Sequence, residues 1–295
     1  MSEDWLEYLR KVASPTDRSR PAYVYPVTDE VTNTRLQQQD PNKHTLEQAL
    51  FSAMLQDAWR VAIDFGCGTG AHFFLFDGHE HRKNLLIGID PDCKRVEWAR
   101  QVAEYRLQFV QSHILCGGIE LLEHTPKRLK ADVVLCSQVL GHVSENQTRR
   151  IIKGFHRILA KNGRCGIAIP IVGAQFKENP QAGDWSGKED YPHLVHMSKS
   201  PSDHDFRCYI TIDEFNKAAE QPEPGLLPVR SFIVPNFPNL ATIKLPYLLD
   251  VPPPTIGQLI SPFFRVEKCA IYSIHKDPGS PVFPVGDMFI QLRKK

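Results

Sequence analysis

Apolar positions change their spacing several times along the chain, and each change marks an element. Trp5, Leu6 and Leu9 share one side of a short amphipathic helix over 4–12. Residues 13–43 are polar, carry Pro15, Pro21, Pro26 and Pro41, and read as an extended arm. Over 44–57, Leu46, Leu50, Ala53 and Met54 recur at helical spacing. From residue 60 onward, short runs that are apolar throughout alternate with helical patterns. The runs predict strands over 60–65, 85–89, 107–111, 132–137 and 164–169, with helices over 92–105, 118–129 and 145–160. The last helix carries the clearest signals. Ser144 and Gln147 form a capping box, Ile151, Ile152, Phe155, Ile158 and Leu159 an apolar stripe, and Asn162-Gly163 a stop.

Strands apolar on both faces and separated by helices predict a parallel sheet covered on both sides. Right-handed crossovers make it an α/β, doubly wound sheet. After Pro170 the texture changes: that first part holds 7 of the 23 prolines and the remainder holds 16. Thr211 and Glu214 mark a short helix over 212–220, and 258–261 belongs to a last crossover helix. The rest of 171–262 predicts loops and short strands.

Composition narrows the classes. The 295 residues are 42% hydrophobic and 23% charged, as in ordinary globular chains, with a net charge of +1. That balance gives no general attraction to nucleic acid or an acidic membrane. No apolar run reaches the length of a membrane span, and MSEDWLEYLR is unlike a signal peptide, so a cytoplasmic protein is expected. The seven cysteines, Cys67, Cys93, Cys116, Cys136, Cys165, Cys208 and Cys269, are dispersed without a C-x-x-C pair. They read as reduced, buried thiols.

The chemistry concentrates at the end of the first strand, in Asp64-Phe65-Gly66-Cys67-Gly68-Thr69-Gly70. Glycines at alternate positions let the backbone turn sharply and approach a ligand closely. No G-K-[ST] follows, which excludes a phosphate P-loop. The dinucleotide pattern G-x-G-x-x-G is met only with Ala71 in place of the third glycine, so the loop alone leaves a nicotinamide dinucleotide open. Asp90 ends the second strand, about twenty residues further on.

The whole string D-F-G-C-G-T-G resembles the first motif of class I S-adenosylmethionine-dependent methyltransferases. The resemblance continues in order through Asp90, through F-V-Q-S-H (109–113), through A-D-V-V-L-C-S-Q-V-L-G-H-V (131–143) and through I-L-A-K-N-G-R (158–164). It resumes in 263–274 and 286–295, which resemble the sixth and seventh strands and their antiparallel hairpin. It implies a mostly parallel seven-stranded sheet with helices on both faces and a large lid insertion after strand five. The division is an N-terminal helix and arm (1–43), a cofactor-binding core (44–170), an inserted lid (171–254) and a C-terminal part of the core (255–295).

The implied cofactor is S-adenosylmethionine and the implied reaction a methyl transfer to an O, N, S or C nucleophile. Gly66, Cys67, Gly68 and Gly70 would admit the methionine portion, Asp64 would meet its amino group, and Asp90 with Pro91 the ribose. The family places an acid beside the adenine where this chain has His113, with the Ile114 backbone next to it. At the end of the fourth strand Cys136 and Ser137 would offer backbone carbonyls to the cofactor's amino group, and Gln138 would hydrogen-bond cofactor or substrate. His142, just beyond, has the residue type of a general base.

The insertion is aromatic, and Trp185, Tyr191, His193 and Tyr209 are candidates for contact with substrate, together with His142. Aromatic walls suit a small apolar or aromatic molecule. His193, His196, His204 and Cys208 have zinc-ligating residue types, but their spacing fits no zinc motif, and no metal is expected. Nor does C-S-Q-V after strand four match the motif of enzymes that methylate amino groups of bases, so no nucleic-acid partner is expected. A cofactor-binding sensor without activity and a protein methyltransferase are the alternatives. The sequence does not set the oligomeric state.

Overall fold

A computed structural model describes residues 2–12, 41–56, 58–76, 84–107, 110–173, 195–196, 207–208, 212–221, 230–235, 237–238, 243–276 and 284–295. In chain order, helices α1 (Ser2–Val12) and α2 (Pro41–Leu55) precede β1 (Val61–Phe65), a single 3-10 turn (Phe73–Phe76) and β2 (Leu85–Asp90). There follow α3 (Cys93–Arg106), β3 (Gln111–Cys116), α4 (Ile119–His124), β4 (Ala131–Ser137), α5 (Glu145–Ile158) and the long β5 (Leu159–Gly173). Then come β6 (Val195–His196), β7 (Arg207–Cys208), α6 (Ile212–Glu220), β8 (Phe232–Val234) and β9 (Tyr247–Leu248). The chain closes with α7 (Pro254–Ile260), β10 (Phe264–Lys276) and β11 (Pro284–Lys294).

The sheet runs β3-β2-β1-β4-β5-β11-β10-β9. β1 to β5 are parallel, and β11 lies antiparallel between β5 and β10, as the hairpin signature implied. Two short strands bring the expected seven to nine. β9 extends the far edge beyond β10. β8 pairs with Ile171–Gly173 of β5, past Ala168, where β4 has ended. The insertion after β5 thus returns a strand to the sheet, late in its course, beside the end of β4.

Alternation along the strands builds two cores. Val61, Ile63 and Phe65 of β1, Ile167 and Ile169 of β5 and Met288 and Ile290 of β11 face Trp5, Leu122, Phe155 and Ile256. On the other face, Ala62, Leu135, Tyr272 and Phe289 meet Phe51, Met54, Phe73, Phe76 and Val96. Helices therefore cover both faces. The α5 capping box is formed: Gln147 N donates to Ser144 Oγ (3.2 Å) and Ser144 N to Gln147 Oε1 (2.9 Å). Among the described residues no helix is long and apolar enough to cross a membrane.

Three readings of the sequence need correction. The third strand lies over Gln111–Cys116 rather than 107–111. It is a sheet edge with only β2 beside it, so its first residues stay partly exposed and lack the apolar run of the inner strands. In α2 the buried stripe passes through Leu50, Phe51, Met54 and Leu55, while Ala53 faces out. Finally, not all cysteines are free thiols. Cys93 at the start of α3 and Cys116 at the end of β3 form a disulfide, with 5.0 Å between their Cα atoms. The start of α3 and the end of β3 bring together residues 23 apart, which no local spacing advertises. Cys67, Cys136, Cys165 and Cys269 are free and buried.

Candidate functional site

The strand order reverses between β1 and β4, and at such a reversal the carboxyl ends of open α/β sheets leave a crevice. The glycine loop occupies this position. Gly66 N and Cys67 N both donate to Ile89 O, at 2.7 and 3.1 Å, which binds the loop to the end of β2. A side chain at Gly66 would stand 2.1 Å from Val139 Cγ2, and one at Gly70 2.7 Å from the Phe73 ring. Packing alone requires those two glycines. Gly68 differs: its φ is +54°, and a Cβ there would meet nothing within 4 Å. The protein leaves bare backbone facing open space, as a closely approaching ligand requires.

Two buried carboxylates flank that space. Asp90 Oδ2 accepts from Gly68 N (2.9 Å) and Oδ1 from Asp92 N (2.9 Å). Each oxygen keeps a further acceptor direction. Burial raises the pKa of Asp90, and the two N–H donors oppose the rise. Asp64 is 1% exposed, and its Oδ2 has no hydrogen-bond partner among the described residues. Burial, with repulsion from Asp90 and Glu47 against attraction from His72, lifts its pKa to about 6. Burial likewise pushes the Cys67 thiol well up. An orphaned carboxylate oxygen and two spare acceptor directions beside unfilled backbone fit a ligand that brings an ammonium and hydroxyl groups.

Sequence reasoning missed most of the opposite wall. Glu47 of α2 is buried and accepts from His72 Nε2 (3.2 Å), from Ser137 Oγ and from Tyr272 OH (2.8 Å). Burial alone would raise its pKa, but these partners hold it below the usual range. His72 answers in kind: burial opposes its charge, and Glu47 and Asp64 raise its pKa nonetheless. Gln138 joins the group through Nε2, which donates to Tyr272 OH (3.1 Å) and Asp287 Oδ1 (2.8 Å). Burial and the two carboxylates drive the Tyr272 phenol far up. One signal was available. Glu47 continues the Leu50, Phe51, Met54, Leu55 stripe by one turn, so a carboxylate stands where the pattern calls for an apolar residue.

The remaining candidates are scattered. Pro91 is exposed beside Asp90. His113 and Ile114 lie within β3, opposite Ile87 and Gly88, and not in the turn after it. That turn is Gly117-Gly118, whose Gly117 N donates to Asp90 O (2.9 Å). His142 follows β4 in a turn closed by its N–H on Val139 O (2.9 Å) and is half-buried. Next to it Arg230 donates its N–H to Gly141 O (2.6 Å) and lays its guanidinium 4.5 Å from the Phe232 ring centre. Burial lowers its pKa to about 10, against the pull of Glu145. Trp185, Tyr191, His193, His204 and Tyr209 lie outside the described residues, as do the side chains of His196 and Cys208.

Comparison with known proteins agrees with this fold. Residues 63–165 match the family described as a methyltransferase domain. The fold is shared with the PH0226 protein of Pyrococcus horikoshii OT3, at 13% identity over 98% of this chain and 99% of that one, with a TM-score of 0.52. It is shared too with a protein of Methanosarcina mazei described as a SAM-dependent methyltransferase, at 12% identity over 83% of this chain and 96% of that one, TM-score 0.53. No curated protein matches the sequence.

Proposed function

Proceeding from a methyltransferase domain at 63–165 set in the doubly wound sheet of class I methyltransferases, we propose that the protein binds S-adenosylmethionine and methylates a small molecule. The observation that carries this reading is the unfilled backbone at Gly68 between the orphaned Asp64 carboxylate and Asp90.

In this reading Gly66, Cys67, Gly68 and Gly70 line the methionine portion, Asp64 takes its ammonium, and Asp90 with Pro91 takes the ribose hydroxyls. The adenine lies by the Gly117-Gly118 turn that ends β3, beyond His113 and Ile114. When bound, the cofactor supplies a methyl group activated on a sulfonium. Ser137 joins the cofactor side through its backbone carbonyl, and Gln138 and His142 line the acceptor side. His142 serves as base for acceptors that must lose a proton. Trp185, Tyr191, His193 and Tyr209 of the insertion are the proposed contacts to an apolar or aromatic substrate. The expected compartment is the cytoplasm.

Charge supports this cofactor over a nicotinamide dinucleotide. Asp64 lies within reach of two further carboxylates, Asp90 and Glu47, and of a single imidazole, His72. Such a crevice attracts a sulfonium and repels a pyrophosphate. A pyrophosphate also favours the N-terminus of a full helix, and the loop here runs into one 3-10 turn.

The test incubates the full chain with cofactor carrying a labelled methyl and with mixtures of small molecules, followed by mass spectrometry. A labelled small-molecule product is expected. Cofactor binding without transfer to any small molecule would leave a sensor or a protein methyltransferase, and absence of binding would overturn the reading.

A further inference from the structure

The buried network holds the amide of Gln138 in one orientation. Tyr272 points its hydroxyl hydrogen at Glu47 Oε2 (2.8 Å), a carboxylate that only accepts. The phenol oxygen therefore serves Gln138 as an acceptor, at 3.1 Å, and Asp287 Oδ1 accepts from the same nitrogen at 2.8 Å. Both amide hydrogens are committed, and a flipped amide would set oxygen against a carboxylate. The orientation thus follows from the chemistry of the partners.

The other end of the amide is different. Gln138 Oε1 meets no donor among the described residues, and the side chain is half-buried at the head of the crevice. Its backbone is held in place as well. Gln138 has φ +57°, a left-handed conformation that costs a non-glycine residue energy, and its N–H donates to Ala168 O (2.9 Å). Strain at the main chain and two bonds at the amide nitrogen keep one carbonyl oxygen in place as an unpaired acceptor.

We infer that Gln138 Oε1 selects the methyl acceptor, by receiving a hydrogen bond from the reacting centre of a substrate that carries N–H or O–H there. The assignment rests on the proposed function and narrows it. Of the four nucleophile types, protic nitrogen and oxygen are favoured, and thioethers, tertiary amines and carbon nucleophiles are disfavoured. A site built to hydrogen-bond a substrate rejects analogues that lack the group. Gln138 is on this account a specificity-determining residue. The cofactor ammonium has its own partner in Asp64.

The test measures binding. Matched pairs of small aromatic molecules, such as aniline with N,N-dimethylaniline and phenol with anisole, are titrated into the full chain saturated with S-adenosylhomocysteine and followed by ligand-observed NMR. Wild type is expected to bind protic members about tenfold more tightly than their methyl-capped partners. Gln138→Met should lose that preference while its affinity for S-adenosylhomocysteine stays within twofold. Tyr272→Phe keeps the Asp287 anchor and the acceptor oxygen, and should keep the preference even where its melting temperature falls. Equal binding of both members, no binding of any protic member, or a preference surviving in Gln138→Met overturns the assignment. A large loss of S-adenosylhomocysteine affinity in Gln138→Met would move the oxygen to the cofactor and overturn it too. Failure of wild type to bind S-adenosylhomocysteine at all would instead overturn the proposed function.

Discussion

The two walls of the crevice are built in opposite ways. One comes from consecutive residues: the loop 64–70 and the acid at 90 meet because β1 and β2 are neighbours, through bonds such as Gly68 N to Asp90 Oδ2 (2.9 Å). The other is assembled from distant residues. Glu47 reaches Ser137 across 90 positions and Tyr272 across 225, and Gln138 reaches Asp287 across 149. The first wall leaves acceptors unspent, at Asp64 Oδ2 above all. The second spends almost every polar atom internally. The local wall is a receptor and the assembled wall, apart from Gln138 Oε1, is a scaffold, so substitutions in one should cost binding and substitutions elsewhere in the other should cost stability.

The sharpest way to break that contrast is Glu47→Ala. It strands His72, Ser137 and Tyr272 in a buried site, and loss of one partner of a buried pair costs about 3–5 kcal/mol. Urea unfolding should show a loss of that size, and a change below about 1 kcal/mol would deny the scaffold role.

Asp64 should behave in the opposite sense. Its folded pKa, near 6, lies above the ordinary 3.8. The stability it contributes is complete below about pH 4 and is lost as the pH rises through about 6, a difference of about 3 kcal/mol. Asp64→Asn should remove this slope from the unfolding profile of the free protein. A cationic ligand beside Asp64 should draw its pKa back down, so binding near pH 5 should release a proton. Calorimetry in buffers of different ionisation enthalpy detects it.

Gly68→Val should spare the fold, since no atom lies within 4 Å of a Cβ there, apart from the cost of its positive φ. It should lower affinity for S-adenosylhomocysteine about a hundredfold, or about 2.7 kcal/mol. Gly66→Val, 2.1 Å from Val139 at its Cβ, should instead fail to fold. Two variants that both fold and both bind would refute the distinction between packing and approach. Asp90→Ala should also weaken binding, because it removes one or two charge-assisted bonds of roughly 1.5–3 kcal/mol each. Titration with unchanged affinity would take Asp90 out of the site.

The same contrast explains what the sequence disclosed. The inner strands, the α5 cap and the glycine loop are local patterns, and each lies where the pattern put it, within a few residues. The edge strand β3 was displaced because exposure of Gln111, Ser112 and His113 removes the apolar run that marks inner strands. The cysteine pair and the carboxylate at Glu47 depend on which elements become neighbours. Tyr272 and Asp287 sit in strands that look wholly structural, and no spacing in the chain links them to Gln138. The short strands β8 and β9, two or three residues each, are too brief for a periodic signal.

A crystal structure of the full chain with S-adenosylhomocysteine tests the central claim most directly. The account predicts the ribose hydroxyls on Asp90, the ammonium on Asp64 Oδ2 and the homocysteine chain against Gly68. An empty crevice under saturating ligand, or a nicotinamide dinucleotide bound there in its place, would contradict it.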